Sequence, residues 1–134
     1  MSGPKLYLTW EQFDAAVAAL AAQIPEGTTC LYGLPRGGLP LAVALSHRTG
    51  LPLVHAGFAP GTLLIDDIAD TGRALRDLRK HFRRDLAALV WVRRRSADTD
   101  AGCALLLEGD EWVVFPWESP DNADKDRTAY AARQ

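Results

Sequence analysis

The segment that carries the most chemical information is residues 63–72, with the sequence LLIDDIADTG. An apolar run leads into two adjacent carboxylates, Asp66 and Asp67, and a third acid, a hydroxyl and a glycine follow at residues 70–72. Amide groups exposed at the start of a helix bind phosphate, and a glycine lets the backbone approach the ligand closely. Two nearby carboxylates can accept hydrogen bonds from sugar hydroxyls or hold Mg²⁺. The segment therefore predicts a site for a sugar phosphate.

A simpler interpretation of this segment is a strand end with solvated acids, followed by a helix that Asp70 or Thr71 caps. That interpretation accounts for Asp70 and Thr71. It accounts poorly for three acids within five residues, because like charges repel one another. A ligand that uses the acids explains them better.

A second segment of interest is residues 34–38, with the sequence LPRGG. Gly37 and Gly38 free backbone amides to face an anion, and Arg36 supplies a charged guanidinium fork. By itself this pattern is also typical of a tight turn. Its place before the acidic segment, in a chain of 134 residues, favours a second anion-binding loop.

Apolar segments that favour strands alternate with amphipathic segments that favour helices. The predicted strands are residues 6–8, 28–34, 51–55, 63–65, 86–92, 103–107 and 112–115. Thr9 and Gln12 form a predicted capping box at the start of the first helix. The expected buried stripes of the first and third helices are Trp10, Phe13, Val17, Leu20 and Ile24, and Leu75, Leu78 and Phe82. The alternation predicts an α/β fold with a mostly parallel sheet flanked by helices and ligands at the carboxyl ends of the strands.

The overall composition is that of an ordinary globular protein, with 48% hydrophobic and 24% charged residues. A net charge of −2 argues against a nucleic-acid or membrane partner. Two cysteines far apart, Cys30 and Cys103, and no visible signal peptide indicate a cytoplasmic protein. We expect one domain over residues 1–118 and a polar tail over residues 119–134.

The acidic segment closely resembles the phosphoribosyl pyrophosphate signature of the type I phosphoribosyltransferases. The resemblance implies a Rossmann-like core with a small C-terminal hood that binds a nucleobase, and Mg²⁺ as the cofactor. It implies that Asp66 and Asp67 hold the ribose hydroxyls, with Asp67 also touching Mg²⁺. Ala69, Asp70, Thr71 and Gly72 would cradle the 5′-phosphate. In purine-specific members the acid at Asp70 lies beside the attacking base nitrogen, so the resemblance implies that Asp70 is the general base.

The segment LPRGG resembles the pyrophosphate loop of the same family. The resemblance implies that Arg36, Gly37 and Gly38 bind the pyrophosphate, with Arg36 assisting catalysis. Because this loop often carries an unusual peptide bond at or before the basic residue, we expect the Pro35–Arg36 peptide to be cis.

The segment from Trp112 to Glu118 is similar to the C-terminal part of xanthine–guanine phosphoribosyltransferases. The resemblance implies that Trp112 stacks on the base, that the backbone of Val113 contacts its edge, and that Glu118 lies near a second metal. A core role for the tryptophan is the alternative. By position, Arg93 would recognise the exocyclic oxygen of a 6-oxopurine, and a solvated run of arginines is the alternative there.

This chain departs from the family between His55 and Leu63, where relatives carry a long flexible hairpin that covers the substrate. Only about seven residues, Ala56 to Thr62, fill the gap, so no such lid fits. The expected function is transfer of a phosphoribosyl group to a purine base. A non-catalytic sensor of phosphoribosyl pyrophosphate or a nucleotide is the main alternative, and a receiver-type phosphoacceptor domain is a third. The base and a homo-oligomeric state stay open.

Overall fold

The computed structural model describes residues 3–119 and 121, which fall into two units: Ala16–Glu108, and the described residues on either side of it. In chain order the elements are β1 (Lys5–Tyr7), α1 (Trp10–Ala21), β2 (Cys30–Gly33), α2 (Gly38–Thr49), β3 (Thr62–Ala69), α3 (Arg73–His81), β4 (Ala88–Arg94), β5 (Gly102–Leu107) and β6 (Trp112–Val114). Within the described residues, no helix has both the length and the apolarity to cross a bilayer.

The larger unit contains a four-stranded sheet in the order β2-β3-β4-β5, and each neighbouring pair is parallel. Gly33 pairs with Ile65, and further along β3 the residue Ala69 pairs with Arg93 of β4. The central strands are almost continuously buried, as expected for a parallel sheet with both faces covered. The carboxyl ends of these strands therefore meet at one edge of the sheet.

Two helices of the larger unit begin where the loops at that edge end. Helix α2 packs against β2 and β3 through Leu41, Ala42 and Leu45, which are all fully buried. Helix α3 packs against β3, and its buried residue Leu75 joins a core cluster with Leu64 and other apolar side chains. Both helices therefore begin beside the carboxyl end of β3.

The smaller unit contains a two-stranded parallel sheet, in which β1 pairs with β6. The predicted capping box at the start of α1 is confirmed. The amide of Thr9 donates to Gln12 Oε1 at 2.8 Å, and the amide of Gln12 donates to Thr9 Oγ1 at 3.1 Å. The ring of Trp117 stacks on Phe115 at 5.0 Å between centroids and meets Phe13 edge-on at 5.8 Å.

The predicted α/β fold is confirmed, and three local predictions are wrong. Residues 51–55 form no strand, and only Leu53 makes a single bridge, with Leu31. Trp10 and Phe82 were expected in the core, but they are 53% and 66% exposed because each lies at a helix end, where few elements cover it.

Several element boundaries also differ from the predicted ones. Strand β3 runs on to Ala69 and so continues past both adjacent acids, in which the predicted strand at residues 63–65 ends. The prediction of one domain over residues 1–118 stays a prediction. Apart from Ser119 and Asp121, the predicted tail lies outside the described residues.

Candidate active site

The end of β3 delivers two acids into a largely enclosed environment. Asp66 is 9% exposed and Asp67 is half-buried. The amide of Asp67 donates to Asp66 Oδ1 at 2.9 Å, and the amide of Ile68 donates to Asp67 Oδ1 at 2.8 Å. These short-range hydrogen bonds fix the orientation of both carboxylates at the edge where ligands bind in parallel sheets.

Burial and proximity make this pair of acids electrostatically unfavourable. Burial raises the pKa of Asp66 well above its ordinary value, and the neighbouring Asp67 carboxylate raises it further. Burial also raises the pKa of Asp67, while hydrogen bonds offset part of that effect. A group that brings a cation or hydrogen-bond donors would relieve this conflict, because both favour the ionised carboxylate.

The loop after β3 has the features of a phosphate cradle at a helix start. Gly72 precedes α3 with φ of 86°, and a Cβ there would overlap the carbonyl of Asp98, so the position favours glycine. The prediction that Asp70 or Thr71 caps α3 is wrong, because the N-cap residue is Gly72. The hydroxyl of Thr71 accepts the amide of Arg73 at 3.2 Å in the turn before the helix. Ala69 is buried as the last residue of β3.

The Pro-Arg-Gly-Gly loop lies directly against the two acids. The predicted cis peptide between Pro35 and Arg36 is confirmed, and Arg36 is exposed. A Cβ at Gly37 would overlap the carboxylate of Asp67, and a Cβ at Gly38 would lie 3.0 Å from Asp66 Cα. The structure therefore brings together two loops that are well separated in sequence, and glycine is what permits their close approach.

Arg94 is a site residue that the sequence analysis missed. Its Nε donates to Asp70 Oδ1 at 2.5 Å, and the two side chains are only 7% and 11% exposed. Arg93, which the sequence analysis assigns to the exocyclic oxygen of the base, donates from Nη1 to the carbonyl of Ala101 at 2.9 Å, and that assignment stays a prediction. The strand register explains the contact of Arg94: Ala69 pairs with Arg93, so the next residues along, Asp70 and Arg94, are also neighbours.

The three remaining predicted residues belong to the smaller unit. Trp112 is half-buried in β6, and Val113 beside it is 5% exposed. Glu118 Oε1 accepts the amide of Phe115 at 2.7 Å. The roles of Trp112 and Val113 in base binding, and of Glu118 at a second metal, stay predictions.

The acid pair fits a magnesium ion. No group of three or more His, Cys, Asp or Glu side chains with metal-site spacing occurs among residues 3–119 and 121. Mg²⁺ is commonly held by one or two carboxylates, while substrate phosphates and water complete its coordination. Asp66 and Asp67 supply two such carboxylates beside the glycine loop, and a cation there would offset the burial that raises the pKa of both.

The short connection before β3 lies at the opposite end of the sheet from these loops. Leu53 bridges to Leu31, and Thr62 pairs with Cys30, so both ends of the connection sit at the start of β2. In its middle, the ring of Phe58 lies 4.8 Å from Tyr32 and 4.7 Å from Phe82 between centroids. Residues 55–61 contain no strand, which agrees with the predicted lack of a lid hairpin.

Comparison with known proteins supports the same family as the two loops. No family model matches the chain. A relative from Nitratidesulfovibrio vulgaris, named xanthine-guanine phosphoribosyltransferase, is 25% identical over 136 residues, covering 84% of this chain and 83% of the relative. The solved structure of a purine phosphoribosyltransferase from Pyrococcus horikoshii Ot3 matches with a TM-score of 0.74 and 27% identity, over 87% of this chain and 95% of that chain. These similarities support a type I phosphoribosyltransferase.

The named relatives and solved structures confirm the resemblance and the enzyme class, a phosphoribosyltransferase, that residues 63–72 and 34–38 predict. A further solved structure, the xanthine-guanine-hypoxanthine phosphoribosyltransferase of Helicobacter pylori, matches with a TM-score of 0.72 at 20% identity, over 90% of this chain and 97% of that chain. At that identity the match supports the fold alone, which is the α/β core of the Helicobacter pylori protein.

Proposed function

We propose that the protein transfers the phosphoribosyl group of phosphoribosyl pyrophosphate to a 6-oxopurine base, as a step of purine salvage. The observation that carries this proposal is the contact between the two loops: Gly37 and Gly38 lie against Asp66 and Asp67. A donor with a phosphate, a ribose and a pyrophosphate fits a site that has a phosphate cradle, paired acids and an anion-binding glycine loop in this arrangement.

In the proposed complex, each loop holds one part of the donor. Asp66 and Asp67 accept hydrogen bonds from the ribose hydroxyls, and residues 69–72 bind the 5′-phosphate through their amides and the Thr71 hydroxyl. Arg36 and the amides of Gly37 and Gly38 bind the pyrophosphate. Mg²⁺, held by Asp67 together with the phosphate oxygens, would neutralise charge on the leaving group. In the smaller unit, Glu118 is the residue that we assign to a second metal.

The transfer breaks one bond and forms another at ribose C1. A ring nitrogen of the base attacks C1, and the bond from C1 to pyrophosphate breaks with its electron pair on the pyrophosphate oxygen. The proton of the attacking nitrogen passes to Asp70. The products are a nucleoside 5′-monophosphate and pyrophosphate. Positioning and electrostatic stabilisation supply most of the rate, without a covalent intermediate on the protein.

The choice of a 6-oxopurine rests on two observations. The relative from Nitratidesulfovibrio vulgaris is named for xanthine and guanine, and this chain carries a run of arginines at the end of β4 that can donate to an exocyclic oxygen. Arg93 is the residue that we assign to this contact. We assign Trp112 to stacking on the base and the Val113 backbone to its edge. Aromatic stacking suits any purine, so discrimination would come from the arginine.

A turnover assay with separate product readouts tests the proposal. The protein is mixed with Mg²⁺, phosphoribosyl pyrophosphate and each common nucleobase in turn, and both nucleotide and free ribose 5-phosphate are followed. Arg36→Gln is the loss-of-function variant, and Arg48→Gln, an exposed change at the end of α2, is its matched control. Nucleotide from guanine, xanthine or hypoxanthine, lost only in Arg36→Gln, is the expected result.

A sensor that binds phosphoribosyl pyrophosphate or a nucleotide without turnover is the second candidate. The observation that favours it is the short connection before β3, which lies away from the site loops instead of covering them. Calorimetric binding of phosphoribosyl pyrophosphate with no nucleotide from any base would support the sensor and contradict the transferase. A cytoplasmic location, a homo-oligomeric state and the lack of nucleic-acid and membrane partners stay predictions.

A further inference from the structure

We propose that Arg94 is a positioning residue for phosphoribosyl transfer, which acts by holding the carboxylate of Asp70 in one orientation. This inference rests on the proposed function. The contact that carries it joins Arg94 Nε to Asp70 Oδ1 at 2.5 Å between two nearly buried side chains. Asp70 is the first residue of the loop that the family signature places at the 5′-phosphate and the attacking base.

The neighbouring arginines show what is particular to Arg94. Arg95 pairs with Glu108 at 2.6 Å, but both side chains are more than half exposed, so water screens that pair and it contributes little. Arg93 binds a backbone carbonyl, that of Ala101. Of these three consecutive arginines, Arg94 is the one that pairs with Asp70, an acid of the candidate site.

Stability alone is a poor explanation for this pair. Removing two charges from water carries a large desolvation cost, and apolar side chains of similar size are often as stabilising as a buried ion pair. The surrounding sheet is already rich in apolar residues, with Val90 and Val92 fully buried on β4. The pair lies at the end of β4, in contact with the loop after β3, and it is better explained by its effect on the orientation of Asp70.

The geometry of the guanidinium explains how it would act. A guanidinium is planar and presents its donors in a fixed direction, so a hydrogen bond at Oδ1 sets the plane of the Asp70 carboxylate and therefore the direction of Oδ2. The positive charge also compensates one of three acids within five residues, which must coexist with an anionic donor. An oriented carboxylate meets the geometric requirement for accepting the proton of the attacking nitrogen.

Steady-state kinetics of four variants tests the inference: Arg94→Gln, Arg94→Lys, Asp70→Asn and the double variant Arg94→Gln/Asp70→Asn. Because general base catalysis contributes about 100-fold or more, we expect Arg94→Gln to lower kcat about 10- to 100-fold. We expect its KM for phosphoribosyl pyrophosphate to change less than about threefold, since the backbone of the phosphate cradle is kept. Arg94→Lys keeps the charge but loses the fork, and its kcat should be intermediate. Arg95→Gln is the matched control.

The double variant decides whether Arg94 acts through Asp70. If it does, the double variant has the same kcat as Asp70→Asn, because the two effects are not additive. Multiplicative losses, or a large rise in the KM for phosphoribosyl pyrophosphate at unchanged kcat, would overturn the inference and leave Arg94 a structural residue. Should Arg94→Gln fail to fold in a thermal-unfolding control, the kcat and KM of Arg94→Lys carry the same decision.

The wild-type assay separates this inference from the function on which it rests. A wild-type chain that forms no nucleotide contradicts the proposed function and this inference together. A wild-type chain that forms nucleotide, with an Arg94→Gln variant of equal kcat, contradicts only the role of Arg94.

Discussion

Replacing Gly37 with alanine tests whether the glycine loop and the acid pair form one binding site. Gly37 has φ of −62° and ψ of −29°, which alanine adopts without strain, so the substitution acts only through the added methyl group. That methyl group would overlap the carboxylate of Asp67 and lie 2.6 Å from its Cγ. The obstacle is a side chain and can rotate away, so we expect the fold to survive and the site to change.

The expected loss of affinity follows from the interactions that the Asp67 side chain loses when it rotates. Rotation breaks the hydrogen bond that Asp67 Oδ1 accepts from Ile68 at 2.8 Å, at a cost of about 0.5 to 1.5 kcal/mol. An unfavourable rotamer adds about 0.5 to 1.5 kcal/mol. Together they give about 1 to 3 kcal/mol, which is about a 5- to 150-fold loss of affinity for phosphoribosyl pyrophosphate with Mg²⁺.

Titration calorimetry with thermal unfolding separates this effect from a general loss of stability. Gly27→Ala is the control, since a Cβ there meets nothing within 4 Å but the backbone has φ of +87°. We expect Gly27→Ala to lower the melting temperature and to leave affinity unchanged, because the strain lies far from any site loop. If Gly37→Ala binds the donor within about twofold of the wild type, the reasoning that joins Gly37 to Asp67 is refuted.

Four further outcomes are expected. Asp67→Asn should weaken Mg²⁺-dependent donor binding about tenfold or more by calorimetry, and unchanged binding would remove Asp67 from the site. Trp112→Ala should raise the KM for the base about 5- to 150-fold with little change in kcat, since stacking contributes about 1 to 3 kcal/mol, and an unaltered KM would contradict its assignment. Burial raises the pKa of Asp66 and Asp67 above 3.8, so the folded chain holds more protons than the unfolded chain between that value and the raised ones. The unfolding free energy of the ligand-free chain should therefore fall as pH rises through that window, and a thermal-unfolding series in which Asp66→Asn shows the same slope would argue against this cause. The ratio of donor hydrolysis to transfer should exceed that of a relative with a lid, because water exclusion protects ribose C1, and equal ratios would count against the idea.

The two segments that the structure brings together could be found in the sequence because the pattern of each is local. The phosphate cradle needs a strand, acids, a hydroxyl and a glycine within ten consecutive residues, and those residues are adjacent in the chain as well as in space. The two glycines at residues 37 and 38 likewise indicate that the backbone there packs closely against another group. The sequence does not show that this group is the acid pair, Asp66 and Asp67.

The contact between Arg94 and Asp70 could not be predicted in the same way. It depends on the register between β3 and β4, and a shift of one residue would have placed Arg93 or Arg95 beside Asp70 instead. Three arginines in a row carry no pattern that identifies which one pairs with Asp70. Pairing between separate strands is a property of the folded sheet, so this residue became visible only in the structure.

Helical periodicity predicts which face of a helix is apolar, but not how much of that face the rest of the protein buries. Phe13, Val17 and Leu20 of α1 are buried as expected, while Trp10 at the first position of the same stripe is exposed. Phe82 follows α3, about 15 Å along the axis from Gly72 at a rise of about 1.5 Å per residue. The ring of Phe82 contacts the ring of Phe58, but most of the Phe82 side chain stays exposed to solvent.

The acid pair at the end of β3 is a local conflict that folding alone does not explain. The run Leu63–Ile65 is fully buried, and further apolar residues would continue it without the desolvation cost that raises the pKa of Asp66 and Asp67. Ribose hydroxyls and Mg²⁺ both favour ionised carboxylates. A bound donor would therefore stabilise the ionised forms of Asp66 and Asp67, and this stabilisation would contribute to its affinity. Gly37 is needed for the same arrangement, because a side chain at this position would occupy the volume of the Asp67 carboxylate. Violations of local preference concentrate at functional sites. On the proposed function, the requirements of the donor, more than those of the sheet, account for the residue types at these positions.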